Sequence, residues 1–87
     1  MVPKLRINAF YYVYVLKLNN DKFYIGFTKD LKSRFKSHLS GRVITTRYLR
    51  PLSLAYYSAF SSELLAIKFE KYLKSSSGSA FRNKHLL

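Results

Sequence analysis

The chain has 87 residues, 48% of them hydrophobic and 17% aromatic, which is enough for one small packed core and too apolar for a disordered segment. It has no cysteine, which excludes disulfides, thiolate zinc sites and cysteine nucleophiles. No apolar run approaches the ~20 residues of a membrane span, and the opening sequence lacks the apolar segment of a signal peptide. We therefore expect one domain, residues 1–87, in a soluble protein of the cytoplasm.

Positive charge dominates the composition. Sixteen Lys and Arg residues stand against four Asp and Glu, for a formal net charge of +12. Such a chain repels itself, and a polyanion is the partner that best offsets the repulsion, so nucleic acid is the first expected partner. No membrane partner is expected, because no isolated amphipathic helix with a basic face is evident. A protein that is merely basic remains the alternative.

Two strands and a turn are predicted near the N-terminus. Residues 7–18, INAFYYVYVLKL, and residues 22–27, KFYIGF, are rich in β-branched and aromatic residues and predict two strands of a hairpin. A three-residue loop at 19–21 would pair residues whose numbers sum to 40 and place Tyr14 and Tyr24 on one face of the sheet. A two-residue loop would place them on opposite faces.

A helix is predicted after the second strand. Thr28 can cap its start and Gly41 can end it. A stripe of apolar residues spaced four apart predicts its buried face: Leu31, Phe35 and Leu39.

The second half of the chain predicts a basic loop at 42–51, RVITTRYLRP, and a third strand at 52–60. Ser61 or Ser62 can cap a second helix over 63–75. Its predicted buried face comprises Leu65, Ala66, Phe69, Tyr72 and Leu73. The run SSSGS at 75–79 predicts a break before a short terminal helix or tail. The order β-β-α-β-α-(α) predicts an α+β layer structure, with helices flanking a three-stranded central sheet.

Glu70 is the acidic residue that the local sequence explains least. Asp21 lies in the predicted turn, and Asp30 and Glu63 lie in first turns of helices, where an acid suits the helix dipole. Glu70 lies mid-helix in a lysine-rich segment. It could pair with Lys74, which would contribute only ~0.3–0.5 kcal/mol. Alternatively it could be the one carboxylate for a hard divalent cation whose other ligands are water and a substrate phosphate.

Arg34 and His38 are four residues apart on the first helix, so they share one side of it. Arginine suits a bidentate clamp on phosphate, and histidine titrates near neutrality. A merely solvated helix face is the alternative. Gly26, at the end of the second strand, would permit close approach of another backbone or of a ligand.

Five segments, taken in order, resemble the GIY-YIG nuclease superfamily, and most closely its small stand-alone members related to the nuclease module of the UvrC repair protein. The first motif is degenerate, YVY, with Tyr12 in place of the glycine; the second, YIG, is intact. Residues 28–38 match the family helix with its arginine and histidine, and residues 47–57 match the segment leading into the third strand. Residues 66–75 match the helix bearing the metal-ligand glutamate, which implies that role for Glu70.

The resemblance implies a GIY-YIG-like fold and hydrolysis of phosphodiester bonds with one divalent metal, Mg²⁺, for which Mn²⁺ can substitute. Glu70 would be the metal ligand, and Arg34 would neutralise charge in the transition state. Tyr14 or Tyr24 would help to remove a proton from water, which requires positive surroundings to lower a tyrosine pKa from ~10. His38 would assist the proton path or bind the phosphate.

DNA is the expected nucleic acid, DNA repair the expected setting, and a monomer the expected state, with a dimer as the alternative. Two rival interpretations stay open: a non-catalytic nucleic-acid-binding module on the same fold, and a small basic structural protein.

Overall fold

Three strands and three helices follow one another along residues 9–87, the part of the chain that the structure, a computed structural model, describes. The elements are β1 (Tyr11–Lys17), β2 (Phe23–Thr28), α1 (Leu31–Leu39), a 3₁₀ turn (Arg47–Leu49), β3 (Ser53–Phe60), α2 (Glu63–Lys74) and α3 (Ser76–His85). Their order confirms the predicted α+β class. None of the helices within residues 9–87 is long and apolar enough to cross a membrane.

The sheet is antiparallel, in the order β2-β1-β3. The central strand is covered on both faces, which explains why its residues from Val13 to Leu16 are at most 1% exposed. β1 is shorter than predicted: residues 9 and 10 precede the strand, and residues 7 and 8 lie outside the described residues.

The hairpin has the predicted three-residue loop. The Leu18 N–H donates to the Lys22 carbonyl at 2.9 Å, and Asp21 adopts a positive φ of 63°. Tyr14 therefore lies opposite Gly26, and Leu16 opposite Tyr24, so paired numbers sum to 40 as predicted. The two tyrosines consequently lie on the same face of the sheet, as diagonal neighbours.

Each face of the sheet has its own apolar cluster. One cluster lies on the α1 side and contains Tyr14, Leu16, Leu18 and Leu52, with Tyr24, Leu31 and Phe35 packed against it. The other lies under α2 and contains Val13, Val15, Ile25, Ala66 and Leu73. The alternation of β1 side chains thus divides the core into two layers, and the candidate site lies in the layer on the α1 side.

Helix α1 begins two residues later than predicted, because its N-cap is Asp30 and not Thr28. The Asp30 carboxylate accepts the Ser33 N–H at 3.1 Å, whereas the Thr28 hydroxyl accepts the N–H of Asp30 itself. The predicted stop at Gly41 is confirmed: its φ is +79°, and its N–H donates to the His38 carbonyl, as in a Schellman cap.

The buried faces of two helices differ from the predicted stripes. On α1, Leu39 is 46% exposed while His38 is fully buried. On α2, Leu65 and Tyr72 are 55% and 41% exposed, and Ala66 and Leu73 are buried. Tyr72 packs instead against Phe81 of α3, with ring centroids 5.9 Å apart. Several apolar stripes exist on each helix, and the neighbouring elements decide which one faces the core.

The predicted break at residues 75–79 is wrong in its length, because the structure has a break of one residue there. Ser75 alone separates α2 from α3, because its hydroxyl donates to the Tyr72 carbonyl at 2.6 Å and accepts the Gly78 N–H at 3.1 Å. It ends one helix and caps the next. Gly78 is buried against the backbone of residues 72 and 73, where a Cβ would clash, so this glycine permits a close turn between the helices.

Candidate active site

Tyr14 lies at the centre of the site and is 1% exposed. Its ring rests on Gly26 of the neighbouring strand, and a Cβ built on Gly26 would overlap the phenol ring atoms. The close approach that this glycine allows is therefore taken up by the protein's own tyrosine. The second tyrosine of the pair, Tyr24, is half-buried beside it, with the two ring centroids 6.3 Å apart.

A chain of polar contacts runs inward from Arg34. The Arg34 Nε–H donates to the Tyr14 hydroxyl oxygen at 3.4 Å, and that oxygen lies 2.9 Å from His38 Nε2. His38 Nδ1 lies 2.7 Å from Oγ1 of Thr46. If the tyrosine donates to Nε2 and Nδ1–H donates to Thr46, both the phenol proton and the imidazole proton have a partner. We assign this tautomer because it leaves neither buried donor unsatisfied.

The predicted pair on α1 thus converges on one atom, the hydroxyl oxygen of Tyr14. Arg34 is exposed at the mouth of the site, whereas His38 is fully buried below it. A loosely solvated helix face does not describe His38. Its ring also packs edge-on against Tyr24, with centroids 5.2 Å apart. Two tyrosine rings, one imidazole and one guanidinium therefore form a continuous cluster, which we call the tyrosine cluster: Tyr14, Tyr24, Arg34 and His38.

Burial controls the ionisation of this cluster. It raises the pKa of Tyr14, and although the Arg34 guanidinium pulls the other way, burial has the larger effect. The lowered tyrosine pKa that the implied mechanism requires is therefore not found at Tyr14. Burial, followed by the charge of Arg34, lowers the pKa of His38 to about 4. The hydrogen bond to Tyr14 raises the pKa of Arg34 further. At neutral pH the cluster holds a protonated tyrosine, a neutral imidazole and a charged guanidinium.

Thr46 is a site residue that the sequence analysis missed. It lies in the basic loop, immediately before the 3₁₀ turn, and is fully buried. Its hydroxyl is the partner that holds the His38 ring in one orientation. Nothing in the spacing of the sequence marks it, because the contact depends on how the loop folds back over α1.

Glu70 differs from the other carboxylates in its exposure. Its side chain is 17% exposed and lies 3.1 Å from the Lys74 ammonium, whereas Glu63 is 47% exposed and lies 3.8 Å from Lys29. The ion pair with Lys74, predicted as the alternative for Glu70, is therefore present. The charge of Glu70 also contributes to the raised pKa of Tyr14, which couples this carboxylate to the tyrosine cluster.

A metal ion would depend on Glu70 and on groups from outside the chain. Residues 9–87 contain no cluster of three or more His, Cys, Asp or Glu side chains. One mostly buried carboxylate does fit Mg²⁺, which keeps several waters and commonly binds through one or two carboxylates and substrate phosphates. Lys74, which is 53% exposed, can swing into solvent to release Glu70.

Comparison with known proteins identifies the family of the chain. Residues 10–84 match the GIY-YIG catalytic domain. The chain is 41% identical over 64 residues to UPF0213 proteins of Streptococcus pyogenes, such as those of the serotype M5 strain Manfredo and of serotype M1, covering 72% of this chain and 70% of each relative. It is also similar to the solution NMR structure of the UPF0213 protein BH0048 from Bacillus halodurans, with a TM-score of 0.56 and 31% identity over 86% of this chain and 83% of that one. The chain therefore belongs to the GIY-YIG family, and its α+β fold is the one that this family shares.

Proposed function

We propose that the protein is a metal-dependent endonuclease that hydrolyses phosphodiester bonds, with DNA as its substrate. The observation that carries the proposal is the convergence of Arg34, His38 and a buried tyrosine on one oxygen atom. The net charge of +12 supports a polyanionic substrate.

Arg34 is the residue proposed to bind the scissile phosphate. Its Nε–H is used by Tyr14, which leaves the guanidinium exposed at the mouth of the site with further N–H groups for a phosphate. Because the hydrogen bond to Tyr14 fixes the guanidinium group in position, Arg34 does not need to reorganise as negative charge develops in the transition state. Donors fixed in advance in this way supply much of the stabilisation in such reactions.

Tyr24 is proposed to meet the attacking water, and the hydrogen-bonded pair formed by Tyr14 and His38 is proposed to support it from the core side. Tyr24 is half-buried and so is the tyrosine that an attacking water can meet. Tyr14 is sealed from solvent, and its hydroxyl donates to a neutral imidazole behind it. With a pKa of about 4, His38 is neutral and too weak a base to take the phenol proton, so its part is to accept the Tyr14 hydrogen bond and keep the tyrosine hydroxyl aligned.

Glu70 is the residue proposed to hold the metal ion, with Mg²⁺ or Mn²⁺ as the candidates. When bound there, such an ion would polarise the phosphate and stabilise the leaving oxygen. The protein's own contribution is a mostly buried carboxylate, which the Lys74 ammonium holds by an ion pair at 3.1 Å until the ion and the substrate phosphate arrive.

A non-catalytic nucleic-acid-binding module is the second candidate function. Two observations favour it: Glu70 is paired with Lys74, and the pKa of Tyr14 is raised rather than lowered. Cleavage and binding therefore have to be measured separately.

The test compares the parent with Glu70→Gln and with Glu63→Gln as the matched control. Nicking of a supercoiled plasmid is measured with Mg²⁺, with Mn²⁺ and with a chelator, beside DNA binding and thermal unfolding. We expect Glu70→Gln to lose cleavage by roughly 10³-fold or more, equivalent to ~4 kcal/mol of transition-state stabilisation, while its DNA binding is equal or tighter. Cleavage by Glu63→Gln should match the parent. Parental cleavage by Glu70→Gln, or cleavage that ignores the chelator, would leave the binding module as the better description.

A further inference from the structure

A basic groove lies where the loop after α1 folds back on the end of that helix. Its volume is about 430 Å³, and it is separate from the tyrosine cluster. We call it the loop groove; its lining residues are Leu39, Arg47, Tyr48, Arg50, Pro51 and Leu52. Two of the six are arginines and none is acidic.

Tyr48 presents almost its whole side chain to solvent in this groove, being 85% exposed. A single exposed apolar residue needs no explanation, but here Leu39 is 46% exposed and Ile44, in the same loop, is 78% exposed. The ring therefore contributes little to the core, and its flat faces are open to a ligand.

The groove is held rigid by its own arginines. The Arg47 Nε–H donates to the Gly41 carbonyl at 2.8 Å, and the Arg50 Nη1–H donates to the Leu39 carbonyl at 3.2 Å. From the hairpin loop, the Asn19 side-chain amide donates a hydrogen bond to the Arg50 carbonyl at 2.7 Å. These bonds satisfy carbonyls at the end of α1 and fix the platform on which Tyr48 stands, so a ligand would meet a surface that is already ordered.

Charge selects the kind of occupant. A second copy of a chain with a net charge of +12 would be repelled from two arginines, whereas an anionic chain would be attracted. An aromatic face bordered by cations matches a nucleobase and its flanking phosphates. In a duplex the base faces are stacked on each other, so only an unpaired base can use Tyr48.

One buried residue connects the loop groove to the candidate active site along the chain. Thr46, whose hydroxyl lies 2.7 Å from His38 Nδ1, immediately precedes the turn that carries Arg47 and Tyr48. We propose that the loop groove binds an unpaired nucleotide next to the scissile phosphate, with its base stacked on Tyr48 and its phosphates on Arg47 and Arg50. This inference rests on the proposed function and assigns to it a substrate with a single-stranded segment, such as a flap or a loop.

The test is binding in the presence of a chelator, so that no cleavage is required. A fluorescently labelled single-stranded oligonucleotide and its duplex are titrated with the parent, Tyr48→Ala, Tyr48→Phe and the matched control Tyr57→Ala, in which another exposed tyrosine is removed. Loss of one stacked base should weaken single-strand binding by Tyr48→Ala roughly 5- to 100-fold. Duplex binding should change less than about twofold, and Tyr48→Phe and Tyr57→Ala should behave like the parent on both.

Unchanged single-strand affinity in Tyr48→Ala, or an equal loss on the duplex, would overturn the inference. The groove and the endonuclease fail in different ways. Selective single-strand binding without any metal-dependent nicking would contradict the endonuclease proposal and support the loop groove as a nucleotide-binding site. Metal-dependent nicking by the parent, together with unchanged single-strand binding by Tyr48→Ala, would support the endonuclease proposal and contradict the loop groove as a nucleotide-binding site.

Discussion

Thr46→Val removes one buried hydroxyl and keeps the shape of the side chain. The hydroxyl lies 2.7 Å from His38 Nδ1, and both residues are fully buried, so water cannot replace it without opening the site. A buried donor left without a partner costs ~1–3 kcal/mol of stability. In a domain of this size each kcal/mol lowers the melting temperature by roughly 4–8 °C, so we expect a decrease of roughly 5–20 °C.

Thr46→Ser is the matched control, because it keeps the hydroxyl and loses only a methyl group, a change of about 1 kcal/mol. The assay is thermal and urea unfolding at pH 7, together with ¹⁵N NMR of the His38 ring, which reports which nitrogen carries the proton. The parent and Thr46→Ser should show the proton on Nδ1. Thr46→Val should show a mixture of tautomers, since its ring has lost the partner that distinguished the two nitrogens.

A double-mutant cycle isolates the contact. In a His38→Phe background the donor is absent, so Thr46→Val should cost less than about 0.5 kcal/mol there. A Thr46→Val variant as stable as the parent would contradict a stabilising hydrogen bond between Thr46 and His38. An equal loss of stability in the His38→Phe background would also contradict it, because the effect would then come from the loop and not from the hydrogen bond.

Three further predictions concern charge and packing. The pKa of His38 falls from 6.5 to about 4 on folding, so as the pH is lowered the unfolded chain takes up the His38 proton before the folded chain does. The contribution of His38 to the free energy of unfolding is therefore complete above pH ~6.5. It is lost as the pH falls toward 4, with a slope of at most ~1.4 kcal/mol per pH unit. Urea midpoints between pH 7 and pH 4 should show this slope in the parent, and His38→Gln should lack it. Gly26→Ala should destabilise the fold by ~1–3 kcal/mol by forcing the Tyr14 ring to move, and urea unfolding that matches the parent would contradict the packing described. DNA affinity should fall with salt with a log–log slope of several units, at about 0.9 per neutralised phosphate, and affinity that stays flat up to physiological salt would count against electrostatic binding.

Local patterns were sufficient for much of the fold. The hairpin register followed from the length of one loop, because side chains alternate along a strand and a shift of one residue reverses every face. The pairing of Tyr14 with Gly26 and the shared face of Tyr14 and Tyr24 were therefore determined by residues close in sequence. The shared side of Arg34 and His38 followed in the same way from the 3.6-residue period of a helix.

Tertiary packing decided which of several equivalent patterns is buried. Leu39 and His38 are neighbours on α1, and hydrophobicity alone favours burying the leucine, yet the leucine is exposed and the histidine is buried. The histidine is accepted in the core because Tyr14 and Thr46, from a strand and a distant loop, satisfy both of its ring nitrogens.

Burial also sets the direction in which the pKa of Tyr14 shifts. The mechanism that the resemblance implies requires positive surroundings to lower the pKa of a tyrosine, but in the folded protein desolvation of Tyr14 outweighs the attraction of Arg34. Charge is a property that the sequence carries by itself. The distance of each charge from its neighbours and from water exists only after the strands and helices have packed, and for a buried group that environment decides which protonation state is stable.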